Sequence, residues 1–365
     1  MKVLFQIRPG YRDGPSGDSI QMFMTKIHLE RLGVEVDISS RPDIHLSEFD
    51  LIHIFNCTRV PEAYAFYKNA IHQKKKIVLS PIFIDMREYY RGRPDRLAAW
   101  RAENILRREM FQGSHMLLPN SKKEWEWIKE ILMVNTMAKV IYHGVNPVFF
   151  EADKSWFIDK FKQQDYILCV GRLSPIKNQL SLIRAVKDLD VPVVLIGPVN
   201  NREYAEKCAE QADGLVKYIP ALNQNELASA YCAARVHVQP SWFETVGLTS
   251  LEAGASGTPV VITDRGAARE YFNDLAYYVD PGNPDSIRTG ILSAIEQTTS
   301  TTRSSSKLKS YIREHFTWEK AAWLTLEAYK QVLKGGCQSK KQEQVTTPFF
   351  YSQSYPLPRI KGMPV

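Results

Sequence analysis

Short apolar segments alternate with helical segments along most of this chain, and this alternation constrains the fold more than any other feature. In the first half, the apolar segments are 2–7, 34–38, 51–55, 76–79, 116–118 and 140–142. In the second half, after a proline- and charge-containing stretch, they are 166–171, 192–197, 216–219, 236–239 and 260–262. Strands separated by helices pair in parallel, so the pattern predicts two doubly wound α/β domains.

The length of the chain fits two such domains. It has 365 residues, and one domain commonly holds about 100–200. We predict a first domain over 1–150 and a second over 151–318. Helical spacing predicts a closing helix over 319–334, which we expect to cross back to the first domain. Residues 335–365 have little periodicity and four prolines and are predicted to form an extended tail, and the Ser/Thr run at 298–306 is predicted to be a solvated loop.

Several classes of protein are excluded by composition. No apolar run approaches the roughly 18–20 residues that span a bilayer, and Arg8 comes too early for the core of a signal peptide. The five cysteines are odd in number and form no Cys-x-x-Cys pair, which argues against a disulfide scaffold or a cysteine zinc site. We therefore predict a cytoplasmic protein.

Ligands of open α/β sheets bind beyond the carboxyl ends of the strands, and two loops of the second half stand out there. The first, 171–178, follows a buried strand and carries Arg172 and Lys177. Two fixed cations in a cleft suit a diphosphate, although the same pair also occurs as ordinary surface cations on a turn.

The second loop follows the strand at 236–239 and leads into a helix rich in small residues. Gly247 lets the backbone approach a phosphate closely, and the free N–H groups at the start of the helix favour an anion. Glu244 lies before this helix and Glu252 within it. Because carboxylates repel a diphosphate, we expect both to face neutral hydroxyl groups at its two ends. A single glutamate on a helix is usually just solvent-exposed.

Together these segments resemble the retaining glycosyltransferases of the GT-B fold, in the large family numbered four. The strongest part is the pair of glutamates separated by seven residues within 243–253. The resemblance extends over about residues 1–333. Its further elements are Gly171-Arg172-Leu173 with Lys177-Asn178, Gly266-Ala267-Ala268-Arg269-Glu270, and Phe316-Thr317-Trp318-Glu319-Lys320.

The resemblance implies roles for individual residues on the donor side. Arg172 and Lys177 would clamp the donor diphosphate and stabilise the leaving nucleoside diphosphate. Glu244 would hold hydroxyls of the donor sugar, and Glu252 those of the ribose. The backbone of Thr245, Val246, Gly247 and Leu248 would contact phosphate and sugar.

The same resemblance implies how the reaction is catalysed. Glu244, Arg172 and Lys177 are expected to act by positioning and electrostatics, with no covalent nucleophile, metal or cofactor. The acceptor would attack from the leaving-group side, and the departing phosphate would take its proton. The Ser16-Gly17-Asp18 loop matches a glycine-rich loop of the family that faces the donor across the cleft.

Two departures from the family concern the acceptor side. The family often has a histidine after the strand that here ends at Leu79, but this chain reads Ser80-Pro81-Ile82-Phe83-Ile84-Asp85. A backbone group or a nearby side chain such as Asp85 would take its place. The glycine loop is also longer than usual, and Asp18 follows Gly17. The residues predicted on the acceptor side are Ser16, Asp18, Phe83, Asp85 and His143.

Alternative readings remain from the sequence. Asp188-Leu189-Asp190 has the form of a metal-binding Asp-x-Asp pair, but it lies before the strand at 192–197, at the amino end of the sheet. The glycines at 10, 14 and 17 do not give the Gly-x-Gly-x-x-Gly spacing of a dehydrogenase. A nucleotide-sugar epimerase of the same fold and a non-catalytic nucleotide- or glycan-binding protein remain alternatives. The first would need acid–base residues at the anomeric cleft.

The net charge of +7 is unevenly distributed. Residues 51–150 carry 16 basic and 9 acidic residues, whereas 151–300 carry 14 basic and 19 acidic ones. In the segment 87–108, arginines and aromatics are mixed with acids, which does not suit nucleic acid. With Lys74-Lys75-Lys76 it suggests instead an anionic membrane surface or a lipid-diphosphate-linked glycan; an exposed, mixed-charge helix is the plain alternative.

The sequence therefore predicts a transferase whose partners are a nucleotide sugar and a glycan or lipid-linked acceptor. From the resemblance, the expected setting is assembly of a bacterial surface polysaccharide or glycolipid, in the cytoplasm or peripherally on the inner face of the plasma membrane.

Overall fold

The first of two parallel sheets is built from the first 117 residues of the chain. The computed structural model describes residues 1–12, 16–212, 214–300 and 303–335. In the first sheet the strands lie in the order β2-β1-β3-β4-β5. They are β1 (Lys2–Gln6), β2 (Glu35–Ser39), β3 (Leu51–Phe55), β4 (Lys76–Ser80) and β5 (Met116–Leu117). The four helices that follow them are α1 (Gly17–Arg31), α2 (Val60–His72), α3 (Pro94–Gly113) and α4 (Lys122–Leu132).

The second sheet is also parallel, with the order β11-β10-β9-β6-β7-β8. Its strands are β6 (Tyr166–Val170), β7 (Val193–Ile196), β8 (Val216–Ile219), β9 (Ala234–Gln239), β10 (Val260–Thr263) and β11 (Tyr277–Val279). Strands covered on both faces are apolar throughout, and every residue of β6, β7 and β10 is buried.

Among the described residues, ten helices accompany the second sheet or return from it to the first. They are α5 (Val148–Glu151), α6 (Ser155–Phe161), α7 (Gln179–Val186), α8 (Arg202–Gln211), α9 (Gln224–Ala233), α10 (Leu248–Ala255), α11 (Ala268–Phe272), α12 (Pro284–Ser300), α13 (Arg303–His315) and α14 (Trp318–Lys334). Among the described residues, no helix is long and apolar enough to cross a membrane.

Each sheet has a point where the order of its strands reverses direction, and crevices for ligands form there. In the first sheet this point lies between β1 and β3, and in the second between β6 and β9. The predicted loops 171–178 and 240–247 follow β6 and β9 directly. The topology therefore brings both of them to the crevice of the second sheet.

Helix α14 returns to the first sheet. Trp318, Ala322 and Tyr329 of α14 are buried in one cluster with Val3 and Phe5 of β1. The chain crosses between the two sheets twice at neighbouring positions, because Val145 N–H donates to the Phe316 carbonyl at 3.0 Å.

Three expectations about individual segments differ from the structure. Residues 140–142 do not form a strand, since pairing with β5 is limited to one bridge between Leu117 and Ala138. The short strand β11 at the edge of the second sheet was not predicted. Residues 298–300 and 303–306 of the Ser/Thr run are helical, in α12 and α13. Apart from Gly335, the predicted tail 335–365 lies outside the described residues.

Candidate active site

The two loops of the second crevice are fastened to each other by the side chain of Asn178. This residue adopts a left-handed conformation, with φ of 61°, as asparagine tolerates better than most residues. Its amide donates to the carbonyls of Pro240 at 3.0 Å and Pro281 at 2.8 Å. The Trp242 N–H donates to the Ile176 carbonyl at 2.9 Å. These bonds make one rigid platform from loops that are about 65 residues apart in sequence.

Lys177 and Glu244 meet on this platform. The Lys177 ammonium donates to Oε1 of Glu244 at 2.6 Å, and the Glu244 side chain is almost fully buried. Ser241 Oγ and Gln239 Nε2 donate to the same oxygen, at 2.6 and 3.2 Å. Among the described residues, none donates a hydrogen bond to the other oxygen, Oε2. The predicted pair of residues is therefore one unit, with one carboxylate oxygen left for a ligand.

The backbone of Glu244 is set by a close approach to Gly266. Glu244 and Gly266 form an isolated parallel bridge, and Ala267 N–H donates to the Glu244 carbonyl at 2.9 Å. Gly266 has φ of 90°, and a Cβ atom there would lie 2.1 Å from that carbonyl oxygen. Only glycine fits this position, which explains a glycine after β10.

The start of α10 forms the floor of the crevice. Gly247 caps the helix with φ of 75°, and a Cβ atom there would lie 3.0 Å from Ile262 Cδ1. The Ser250 hydroxyl is buried without a partner among the described residues. Val246 packs into the core, whereas Thr245 is half-buried. The N–H groups of Ser250 and Leu251 donate to the Gly247 carbonyl at 2.9 Å. The N–H groups of Leu248 and Thr249, at the very start of the helix, are therefore the ones left to attract an anion.

Glu252 lies one turn further along α10 and is buried. The Tyr231 hydroxyl donates to its Oε2 at 3.2 Å. Burial raises the pKa of Glu252 to about 8, although the bond from Tyr231 acts in the opposite direction. Arg172, in contrast, is exposed on its loop, while its backbone carbonyl accepts from Gln179 Nε2 at 3.0 Å. The second predicted cation is thus solvated, and only Lys177 is paired with a carboxylate.

The Ser16-Gly17-Asp18 loop of the first sheet does face this platform. A Cβ atom on Gly17 would lie 3.7 Å from Leu248 Cδ1, at the start of α10. The predicted glycine loop therefore lies against the start of α10, at Leu248.

Asp18 itself is held by first-sheet residues. Arg8 donates to its carboxylate at 2.9 Å and Asn56 at 2.8 Å, and Arg8 also donates to Ser16 Oγ at 2.9 Å. Burial acts to raise the pKa of Asp18, but the bonds from Arg8, Ser16 and Asn56 outweigh it and hold the pKa below its usual value. Asp18 therefore orders the loop as a paired carboxylate.

The other predicted acceptor-side residues have different surroundings. The Phe83 ring is buried and stacks on Trp100 at 6.1 Å between centroids. Asp85 is bound by Arg87, with the closest contact at 2.8 Å. His143 is buried and its Nε2 donates to Asn120 Oδ1 at 2.9 Å, and burial lowers its pKa to about 3. Phe83 and His143 are therefore packed inside the protein and Asp85 is paired with Arg87, while Nδ1 of His143 has no partner among the described residues.

One buried acid was missed in the sequence. Glu124, in the first turn of α4, is fully buried and accepts from the Phe83 N–H at 2.7 Å and the Asn120 N–H at 2.6 Å. Ser121 caps this helix, since its hydroxyl accepts from the Glu124 N–H at 2.9 Å. The sequence Ser-Lys-Lys-Glu at 121–124 matches a helix-capping motif. This motif could have pointed to Glu124 before the structure was known.

Contacts between the two halves of the chain surround the crevice. Glu270 of α11 accepts from the N–H groups of Lys122 and Lys123 at 2.8 and 2.7 Å, so the start of α4 binds a carboxylate from the second half. On the other side, Arg265 pairs with Glu88 at 3.1 Å. The crevice is thus bordered by polar links between first- and second-sheet loops.

Comparison with known proteins finds a family match for the part of the chain that carries these loops. Residues 151–315 match the family described as glycosyl transferases group 1. This part of the chain is similar to that family. The matched region, called here the group 1 domain, contains Lys177, Glu244 and Glu252, and its boundaries enclose the whole second sheet.

Relatives and solved structures extend this finding. An uncharacterized glycosyltransferase of Methanocaldococcus jannaschii is 32% identical over 208 residues, 53% of each chain. O-antigen chain mannosyltransferase B of Escherichia coli is 29% identical over 46% of each chain. The chain thus spans about half the length of the curated relatives it matches. The crystal structure of Anabaena HepE with UDP-glucose has a TM-score of 0.75 and 18% identity, covering 91% of this chain and 100% of HepE. The predicted GT-B fold is confirmed.

Proposed function

We propose that this protein is a retaining, metal-independent glycosyltransferase that moves a sugar from a nucleotide-diphosphate sugar to a hydroxyl of a glycan or lipid-linked acceptor. The observation that carries the proposal is the Lys177–Glu244 pair, 2.6 Å apart, beside the free N–H groups at the start of α10. A cation and a helix terminus suit the diphosphate, and the open carboxylate oxygen suits a sugar hydroxyl.

The proposed reaction breaks the bond between the anomeric carbon and the diphosphate oxygen and forms a glycosidic bond to the acceptor oxygen on the same face. The acceptor proton passes to the departing phosphate. Lys177, the exposed Arg172 and the α10 N–H groups neutralise the charge that develops on the leaving group. Oε2 of Glu244 fixes the sugar by accepting from one of its hydroxyls, which is positioning rather than nucleophilic catalysis.

Two relatives support the proposed substrates. Anabaena HepE was solved with UDP-glucose, which supports a nucleotide-diphosphate sugar as donor. The Escherichia coli relative is named an O-antigen chain mannosyltransferase, which supports an acceptor in the assembly of a surface polysaccharide or glycolipid. We place the protein in the cytoplasm, with access to the inner face of the plasma membrane.

The proposal is tested first by binding. A nucleoside diphosphate that occupies the crevice at 100 times its Kd stabilises the protein by about 2.7 kcal/mol. We expect one diphosphate among those of uridine, guanosine, adenosine, cytidine and thymidine to raise the Tm, with the matching monophosphate as a weaker control. If no nucleoside diphosphate or nucleotide sugar raises the Tm, the donor site is wrongly assigned.

The reaction product then distinguishes sugar transfer from epimerisation and from binding without reaction. We expect the nucleotide sugar that stabilises the protein to be consumed with a glycan or lipid-linked acceptor, giving a glycoside of retained configuration. An epimerised nucleotide sugar formed without acceptor indicates an epimerase instead. Binding with neither transfer nor donor hydrolysis indicates a binding protein.

We also propose contact between the first domain and an anionic membrane, carried by one face of α3. Arg101, Ile105 and Arg108 follow each other at helical spacing and are all exposed, Ile105 at 71%. The lysine triplet contributes less than its sequence suggests, because Lys75 donates to the Phe49 carbonyl at 2.8 Å and Lys76 lies in β4.

Flotation with phosphatidylserine-containing vesicles tests this contact. At about 1 kcal/mol for each basic residue near the surface, the double variant Arg101→Gln/Arg108→Gln is expected to bind about thirtyfold more weakly at low salt. The variant Arg202→Gln, on exposed α8 of the other half, is the matched control. Absence of wild-type flotation at low salt contradicts the membrane proposal.

A further inference from the structure

The buried carboxylate of Glu124 has no cationic partner among the described residues. Its hydrogen bonds come from backbone N–H groups, those of Phe83 and Asn120 at 2.7 and 2.6 Å and that of Ile82. Burial raises its pKa to about 7, although these three backbone bonds act in the opposite direction. Burying an acid without a cation costs stability, so a role other than stabilising the fold is indicated.

The turn that Glu124 holds is strained. Ile82 has φ of 51°, a conformation that is a genuine outlier for a β-branched residue and costs about 1–3 kcal/mol. Such strain persists only where the surroundings fix the backbone. Here Glu124 binds the turn from one side, and Cys57 N–H donates to the Pro81 carbonyl at 2.9 Å from the other.

The position of this turn gives it a role at the crevice. It follows β4 directly, at the carboxyl edge of the first sheet, and it occupies the segment where the resemblance led us to expect a histidine. Asp85, a side-chain substitute suggested by the sequence, is bound by Arg87, and the Phe83 ring is buried. The loop that this turn opens reaches the second half of the chain, where the Tyr89 ring lies 5.9 Å from the Trp242 ring, between centroids. The turn thus begins the segment that borders the crevice from the side of the first sheet.

The same helix end connects the turn to the donor side. The first N–H groups of α4 bind Glu270 of the group 1 domain. Tyr271, beside it, donates to the Asn120 carbonyl at 2.6 Å, and the Asn120 N–H donates to Glu124. Three hydrogen bonds in sequence, Phe83 to Glu124, Asn120 to Glu124 and Tyr271 to Asn120, therefore link the strained turn to α11. The residues just before α11, Gly266 and Ala267, contact Glu244.

We infer that Glu124 is a positioning residue for the acceptor: through the N–H groups of Ile82 and Phe83 it holds the strained turn as the acceptor-side wall of the crevice. This inference rests on the proposed function and deepens it. Glu124 itself is buried and does not touch substrate. If this segment is less well ordered, water can take the place of the acceptor hydroxyl. The ratio of sugar transfer to donor hydrolysis therefore measures how well Glu124 positions the acceptor side.

The test compares Glu124→Gln with Glu126→Gln, an exposed position on the same helix. An amide has one acceptor oxygen, so the variant cannot accept from both the Phe83 and Asn120 N–H groups. We expect kcat for transfer to fall about tenfold, the hydrolysed fraction of donor to rise, and the Tm increase caused by the nucleoside diphosphate to stay unchanged. Hydrogen exchange at residues 82–85 is expected to accelerate, whereas Glu126→Gln changes none of these.

A second substitution distinguishes an effect on the turn from a general loss of protein stability. Ile82→Gly removes the penalty for a positive φ, so adding it to Glu124→Gln is expected to restore part of the transfer-to-hydrolysis ratio. If Glu124→Gln does not fold, Glu124→Asp, which keeps the charge but shortens the reach, is measured in the same way.

The outcomes separate this inference from the proposed function. An active wild type in which Glu124→Gln behaves like Glu126→Gln, or in which transfer and hydrolysis fall together, overturns the role of Glu124 alone. A wild type that neither transfers nor hydrolyses any nucleotide sugar contradicts the proposed function, and with it this inference.

Discussion

Replacing Lys177 with methionine is expected to lower the rate of sugar transfer by about 10²–10³-fold, the usual loss when one preorganised electrostatic group is removed from a leaving group. The structure adds a second reason. Lys177 Nζ lies 2.6 Å from Glu244 Oε1, so its removal leaves a nearly buried carboxylate without its cation beside the diphosphate. The measurement is kcat/KM with the nucleotide sugar that raises the Tm.

Two further variants show whether the loss belongs to the pair. Lys187→Met changes an exposed lysine just after α7, the helix that follows the Lys177 loop, and is expected to leave kcat/KM unchanged. If Lys177 and Glu244 act as one unit, Lys177→Met/Glu244→Gln loses little more than the worse single variant. Transfer by Lys177→Met within threefold of wild type contradicts the assignment.

Replacing Gly266 with alanine is expected to weaken donor binding about 100-fold without touching any group that contacts the donor. The new Cβ atom would lie 2.1 Å from the Glu244 carbonyl oxygen, and the backbone φ of 90° is strained for alanine. Either the Glu244 loop moves or the turn after β10 does, and both displace the carboxylate from Lys177. Titration of the nucleoside diphosphate by calorimetry measures the effect.

Gly257→Ala is the matched control for this substitution. Gly257 has nearly the same φ, 85°, but the nearest atom to an added Cβ is Lys309 Cδ at 3.9 Å. Both variants therefore pay the backbone penalty, and only Gly266→Ala meets a steric conflict. Equal donor affinity in the two variants contradicts the view that the approach of Gly266 sets the position of Glu244.

The sequence predicted the structure best where one local pattern, an apolar strand followed by a helix, repeats along the chain. Alternating strands and helices predicted both sheets, because a buried parallel strand is apolar regardless of its neighbours. The segment at 140–142 is apolar enough for a strand, yet the one bridge to β5 in this stretch is made before it, by Ala138. The Ser/Thr run was read as a loop because serine and threonine favour turns, but α12 and α13 extend into it.

In the candidate site, too, some residues could be predicted from the sequence and others could not. Loop positions after β6 and β9 located Arg172, Lys177 and Glu244, since strand order in an open sheet fixes where ligands bind. The acceptor-side residues were harder to place, because exposure depends on packing between distant segments. His143 and Phe83 look available in sequence and are buried in the structure.

By itself, the sequence determined the two α/β halves and the two charged loops after β6 and β9, because these depend on periodicity and on which residues follow each strand. Only the tertiary structure decided which groups pair. It joined Lys177 to Glu244, Asp18 to Arg8, and Glu124 to the backbone of Ile82 and Phe83. The physical reason is that a hydrogen bond or an ion pair requires atoms within about 3 Å, and partners 10 to 67 residues apart reach that distance only through the packing of the sheets and helices between them.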